Sequence, residues 1–294
     1  MKIYDCTTFY NEKMMLDLRF NILNEHVYKF IIVESTFSHS GEKKKFNFNI
    51  NNYLKFKDKI IYLKINKEPK NLYSHADQLK EPILKRLNSI KRIEQSYDHM
   101  MKGVINAKDE DLIIISDNDE IPNLNSNKFK KSNKKFFIFK QLLFYYKFNL
   151  HHELMPWYGS KACKKKYLKS FSNLRNLKNK KYPPWRLDTC LSDLKQTSLD
   201  IIDDGGWHFT NIKTPEDLYV KMKNFGHHDE FDESKLTVED LREKINNGLV
   251  FYDHFADKKS KKKWEYNYKL KMVDNNLLPN YLIKNHDSFK EWFK

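Results

Sequence analysis

The feature that most constrains this chain is a set of strand-forming runs in its first half: "KIYDCTTF", "KFIIVE", "KIIYLKI" and "DLIIIS". Each is too short for a typical helix and is rich in β-branched or aromatic residues. Between the first two, "EKMMLDLRFNILNEHV" puts Met14, Met15, Leu18, Ile22 and Leu23 on one helical face. Ahead of the last, "EPILKRLNSIKRIEQSYDHMMKGVIN" carries a second helical pattern. Continuous apolar strands alternating with helices predict an α/β fold with a mixed, mostly parallel sheet flanked by helices.

Past Pro122 the pattern changes. "KFFIFKQLLFYYKFNL" reads as an antiparallel pair or as one long strand with a bend. "TPEDLYVKMKNF" starts a helix, with Thr214 as cap, Pro215 in the first turn, and Glu216 and Asp217 complementing the dipole. "TVEDLREKINNG" repeats the device with Thr237, Asp240 and Gly248. A loop and a terminal helix are expected in "NNLLPNYLIKNHDSFKEWF". The expected organisation is one unit over 1–294. It comprises a nucleotide-binding half over 1–122, a second half over 123–234 that completes the metal and acceptor sites, and a helical extension over 235–294.

The strand "DLIIIS" runs straight into "DNDEIP", where Asp117, Asp119 and Glu120 crowd one turn. Open parallel sheets bind ligands at the carboxyl ends of their strands. Two carboxylates one residue apart on such a turn can face one point, and they suit a hard divalent cation such as Mg²⁺ or Mn²⁺. The bland alternative is a solvated acidic turn. Among metal users, a haloacid-dehalogenase-type phosphohydrolase also carries Asp-x-Asp after a strand. That class favours Thr or Val where Ile121 stands and places the motif near the N-terminus. A sugar-nucleotide transferase, whose acidic turn follows a nucleotide-binding half-sheet, fits the order better.

The formal charge of +15 raises a nucleic-acid reading. The lysines, however, are scattered in short runs such as "GEKKK" and "KKSKKKW" without a reader motif, so nucleic acid is a minor candidate. A nucleotide diphosphate or an anionic lipid surface, hence peripheral membrane association, suits the charge equally well. No apolar run reaches the length of a bilayer span, and "MKIYDCTTFYNE" does not read as a secretion signal. Cys6, Cys163 and Cys190 lack metal or redox spacing. A cytoplasmic protein in a reducing compartment, if at a membrane then at its inner face, is the expectation.

Five segments in order resemble glycosyltransferase family 17, which includes the enzyme that adds the bisecting N-acetylglucosamine to N-glycans. They are "MKIYDCTTFYNE" with Asp5, Asn11 and Glu12; "FIIVESTFSHSGEKKKFNF" with Glu34, Ser35, Ser40 and Gly41; "IIISDNDEIP"; "MPWYGSKACKKKYLKSFSNLR" ending in Leu174 and Arg175; and "DDGGWHFTNIKTPEDLYVKMKNFGHHDEF" with Phe225 and His227. Two departures stand out: the stretch between Arg175 and Gly206 is long and carries "KKYPPWRLD", and Gly226 stands where a serine is expected. The anchor and stem of animal members have no counterpart, which argues against an animal N-glycan as acceptor.

The resemblance implies a GT-A-type fold and transfer of N-acetylglucosamine from UDP to a glycan or glycolipid, with inversion and with Mn²⁺ or Mg²⁺ as cofactor. It implies Asp119 as direct metal ligand, Asp117 on metal or ribose, and His208 in "GGWHF" completing the shell. His227 is the rival ligand or a diphosphate contact. Glu34 is expected to bind uracil or ribose and Arg175 to bind phosphate, since a guanidinium reads phosphate bidentately. The base that inversion requires is sought in the second half, at Asp229 and Glu230 ahead of Asp203, Asp204 and Asp188. Trp157, Tyr158 and Trp185 offer flat faces to an acceptor sugar. "HHE" at His151–Glu153 lacks a third ligand at zinc spacing.

Overall fold

A computed structural model describes every residue except 82, 225–227, 254–263 and 265, together with the side chain of residue 229. The first half follows the sequence pattern. Strand β1 (Ile3–Thr8) leads through helix α1 (Lys13–Leu23) to β2 (Lys29–Ser35). A 3₁₀ segment, Ile50–Lys59, then leads to β3 (Ile60–Ile65). Helices α2 (His75–Lys80) and α3 (Ile83–Gly103) precede β4 (Leu112–Ser116), the run "LIIIS". These four strands pair in parallel in the order β3-β2-β1-β4.

Alternation along each strand divides the core between the two faces. Phe30, Ile32, Leu112 and Ile114 face a cluster with Leu16, Leu18 and Phe20 of α1. Ile31, Val33, Ile113 and Ile115 pack on the other face, with Met100 of α3. Phe20 meets Phe30, Tyr53 and Phe56 at ring distances of 4.7 to 5.3 Å. Each such buried aromatic is worth ~1.5–3 kcal/mol relative to exposure.

Beyond the acidic turn the pairing becomes mixed. The short β5 (Glu120–Pro122) and α4 (Asn127–Lys131) lead to β6 (Phe136–Tyr145). Strand β6 is the aromatic stretch as one long strand, with a register irregularity between Ile138 and Lys140 as its bend. Strand β7 (Leu150–His151), β8 (Trp157–Lys164) and α5 (Phe171–Arg175) follow, then β9 (Leu199–Ile202) and β10 (Gly206–Thr210). Antiparallel β8 joins β4 to β6, while β9 and β10 pair in parallel with successive halves of β6. Among the described residues, eleven strands make one sheet.

Helices α6 (Pro215–Asn224), α7 (His228–Ser234) and α8 (Val238–Asn247) enclose a third cluster around Tyr145, Leu218, Phe231 and Phe251. The Thr214 hydroxyl accepts the Asp217 amide at 3.2 Å. Thr237 and Asp240 form a full capping box, and Gly248 closes α8 at φ +63°. The described part of 235–294 is not all helical as expected: β11 (Lys271–Met272) adds an edge strand on β7. Helix α9 (Asn280–Lys284) and a 3₁₀ turn at His286–Trp292 then return the chain to α1 and Phe148. No described helix is long and apolar enough to cross a membrane.

Candidate active site at the carboxyl end of the sheet

The turn Asp117–Asp119 closes between β4 and β5, with the Glu120 amide donating to the Asp117 carbonyl at 3.0 Å. Antiparallel pairing of β5 with β10 sets His208 opposite Glu120, and the Phe209 amide extends the ladder to the Asp119 carbonyl at 2.9 Å. Register alone thus carries the imidazole to the acidic turn. The two glycines before it are required by close approach: a Cβ on Gly206 (φ +104°) would lie 2.2 Å from the Ile121 carbonyl oxygen, and one on Gly205 would lie 2.5 Å from the Lys140 nitrogen.

Beneath the turn lies a buried charge scaffold. Arg19 of α1, fully buried, clasps both Asp5 oxygens at 2.7 and 2.5 Å and donates to the Glu120 carbonyl at 2.5 Å. Glu120 is itself inaccessible. Its carboxylate accepts from the Asp117 amide at 3.0 Å, Trp157 Nε1 at 2.8 Å, and Arg175 at 3.0 and 3.2 Å. Burial works against its charge, but Arg175, His208 and Trp157 win and its pKa is lowered. Arg175 also meets Asp117 Oδ2 at 2.5 Å and the Gly159 carbonyl at 3.0 Å.

Asp119 is different. Its Oδ1 stands 3.4 Å from His208 Nε2 and its Oδ2 stands 3.6 Å from Lys221 Nζ, both long for hydrogen bonds. Lys221 is steadied by the Asn211 side chain at 3.0 Å, and the His208 ring leans on Trp157 at 4.4 Å. Burial disfavours the Asp119 charge, yet the pull of His208 and Lys221 outweighs it and holds the carboxyl well below the usual range. Burial, with repulsion from Glu120 and Asp119, pushes Asp117 up to about 6 against the pull of Arg175. Because 47% of the Asp117 side chain meets solvent, water relieves part of that shift.

Beside Asp119 opens a cleft of about 420 Å³. Its walls come from the β1–α1 loop (Asn11, Glu12), from Lys213, from Asp217 and Lys221 of α6, and from the C-terminal turn at Ser288–Trp292. Two donors about 2.1 Å from one cation lie roughly 3 Å apart, so Asp119 Oδ1 and His208 Nε2 fit as neighbours on a shared ion. His208 Nδ1 is buried with no hydrogen-bond partner among the described residues. Among the described residues no group of three His, Cys, Asp or Glu side chains gathers as a metal site.

The structure brings Asp117, Asp119, His208, Arg175 and Trp157 together. Trp157 is built into the site as a carboxylate donor and a histidine support, not as a free sugar platform. Glu34 is a correction. At the end of β2 it is fully buried, and its carboxylate is consumed by Lys44, by the Asn47 and Phe48 amides at 2.7 and 3.0 Å, and by the Tyr62 hydroxyl at 2.7 Å. It pins the loop after β2 instead of facing a ligand. Trp185 is 80% exposed in the loop between α5 and β9, off the cleft wall. Glu230 raises the pKa of Tyr252 in the α7–α8 cluster and does not line the cleft. Asp203 pairs with Lys128, Asp204 with Ser126, and Asp188 with Arg186 and Lys195. His227 and the Asp229 side chain lie outside the described residues.

Sequence reasoning missed Lys221, Lys213, Asp217 and the C-terminal wall. A signal for two of them was present, since Asp217 and Lys221 are four apart on α6 and share a face.

A strand-end carboxylate, a histidine delivered by strand register and a cleft walled by both lysines and carboxylates define the candidate site. The model of glycosyltransferase family 17 matches residues 1–293, and the chain belongs to that family. It is therefore a glycosyltransferase, which supersedes the phosphohydrolase and nucleic-acid readings. Comparison with curated proteins gives no match. Similar solved structures include that of HddC from Yersinia pseudotuberculosis, at 12% identity over 75% of this chain and 97% of that one, with a TM-score of 0.34. The same protein complexed with GMP-PN has the same identity and coverage and a TM-score of 0.32. Likenesses of that size carry no argument about chemistry.

Proposed function

We propose that the chain transfers a sugar, N-acetylglucosamine by its family resemblance, from UDP to a hydroxyl of a glycan or glycolipid, with inversion and with help from Mn²⁺ or Mg²⁺. The observation that carries this reading is Asp119: an ionised carboxylate with under-used oxygens, facing His208 and Lys221 on the edge of the cleft. Asp119 and His208 would hold the cation, which would offset the charge developing on the departing diphosphate. Lys221 and Lys213 line the same walls and would draw the phosphates in.

Among cleft-wall carboxylates, Glu12 is engaged by the Tyr10 and Asn11 amides at 3.1 Å. Asp217 is exposed, one helical turn from Lys221, and is our candidate for the base that takes the acceptor proton. Three free cysteines support a reducing compartment, and we place the protein in the cytoplasm at the inner face of a membrane.

Thermal-shift measurements with nucleotide sugars test the donor. UDP-N-acetylglucosamine with Mn²⁺ is expected to raise Tm more than other nucleotide sugars, and more than the same donor without metal. Equal shifts with and without Mn²⁺ would remove the metal from the reading, and a larger shift with another donor would replace the sugar.

A further inference from the structure

Between α5 and β9 the chain makes an excursion closed at its neck, where the Lys178 amide donates to the Leu194 carbonyl at 2.8 Å. Buried Lys161 anchors the root, donating to the Arg175 and Leu177 carbonyls at 2.8 and 2.7 Å. Arg175 touches the acidic turn, so the neck begins three residues from the candidate active site. The excursion itself is apolar where water meets it: Trp185, Leu187 and Leu191 are 80, 82 and 93% exposed.

Those side chains are set in positive charge. Residues 178–194 hold four basic and two acidic side chains, a net +2. Lys178, Lys180 and Lys181 are exposed. Lys135 lines a cavity of about 290 Å³ against Thr189 and Cys190, beside Lys166 and Lys169, which pair at the surface with Glu110 and Asp193. Nucleic acid is bound through phosphate neutralisation and would leave the two leucines without a purpose. An interfacial tryptophan, two leucines and a lysine collar together match the chemistry of a bilayer surface with anionic headgroups.

We propose that residues 178–194 form a docking loop for anionic phospholipid bilayers, inserting Trp185, Leu187 and Leu191 between headgroups while the surrounding lysines hold the phosphates. The proposal does not rest on the donor or the metal. It would bring an acceptor carried in the membrane to the mouth of the site.

The test is sedimentation of the full chain with phosphatidylcholine vesicles, with and without phosphatidylglycerol. Binding is expected only with the anionic lipid and should weaken as salt rises. Replacing all three apolar residues (W185S, L187S, L191S) should lower partitioning by about tenfold or more, with Tm and the UDP-dependent thermal shift unchanged because these side chains are already exposed. I105S, at an exposed isoleucine elsewhere, should change nothing. Cys190 is exposed whereas Cys6 and Cys163 are buried, so an environment-sensitive fluorophore on Cys190 should shift to the blue on anionic vesicles. Undiminished partitioning of the triple variant would overturn the proposal, as would a silent Cys190 probe on bound protein. So would a dimer of the parent chain that the triple variant abolishes, or RNA binding that needs the lysines and not the leucines.

Discussion

Glu34 and Asp119 both stand at carboxyl ends of the parallel half of the sheet, where a ligand site is expected. The fold treats them oppositely. Glu34 is sealed from water and holds hydrogen bonds from Lys44, two backbone amides and Tyr62. Among the described residues Asp119 has ion-pair neighbours at 3.4 Å and 3.6 Å, and it opens on the cleft. Topology nominates both positions, and the number of donors already spent on the carboxylate separates scaffold from site. The same contrast recurs one residue apart, because Glu120 is saturated and Asp119 is not.

The sharpest way to break this comparison is Asp119→Ala. Loss of an ion or diphosphate anchor is expected to lower transfer by about 10³-fold or more. The chain should still fold, with a modest fall in Tm because the attraction of His208 and Lys221 for the ionised carboxylate is lost. A variant that keeps transfer would sink the assignment of Asp119. The matching change at β2 is Glu34→Gln. It leaves the positive Lys44 facing a neutral amide and the Tyr62 hydroxyl facing a weaker acceptor, at a cost of about 2–4 kcal/mol in unfolding free energy. Transfer per folded molecule should be unchanged. If Glu34→Gln instead weakened UDP binding at constant Tm, Glu34 would belong to the donor site after all.

The strands were readable because period and apolarity are local properties, and so were the caps at Thr214 and Thr237. The carboxylates of the turn and His208 were readable for the same reason, being short motifs beside a strong strand. What escaped was long-range. Arg19 sits inside a helical run, and nothing near it in sequence announces that the carbonyls of the turn, about a hundred residues on, will join Asp5 as its partners. Trp157 reads as an exposed sugar platform until β8 lays it between Glu120 and His208. The wall at Ser288–Trp292 depends on the chain end returning to α1, which no periodicity announces. Glu34 was misjudged because sequence gives a carboxylate's place on a strand and not how many donors will reach it.

The smallest expected effect concerns Asp117, intermediate between the two extremes. Its carboxyl is raised from 3.8 to about 6 by burial and by Glu120 and Asp119, with Arg175 opposing. A raised carboxyl favours the folded state only while protonated. That contribution is complete below the ordinary value of 3.8 and is lost as pH rises toward 6. At neutral pH the charged side chain is therefore a burden on the turn, and its half-exposure keeps the burden to less than about 1 kcal/mol. Transfer should show an acid limb between those two values, shifting to lower pH as Mn²⁺ is raised, because a bound cation favours the ionised form. Asp117→Asn should flatten the limb and raise Tm slightly at pH 7. A limb that persists unchanged in Asp117→Asn would assign the titration to another group and leave Asp117 with Glu34, as scaffold.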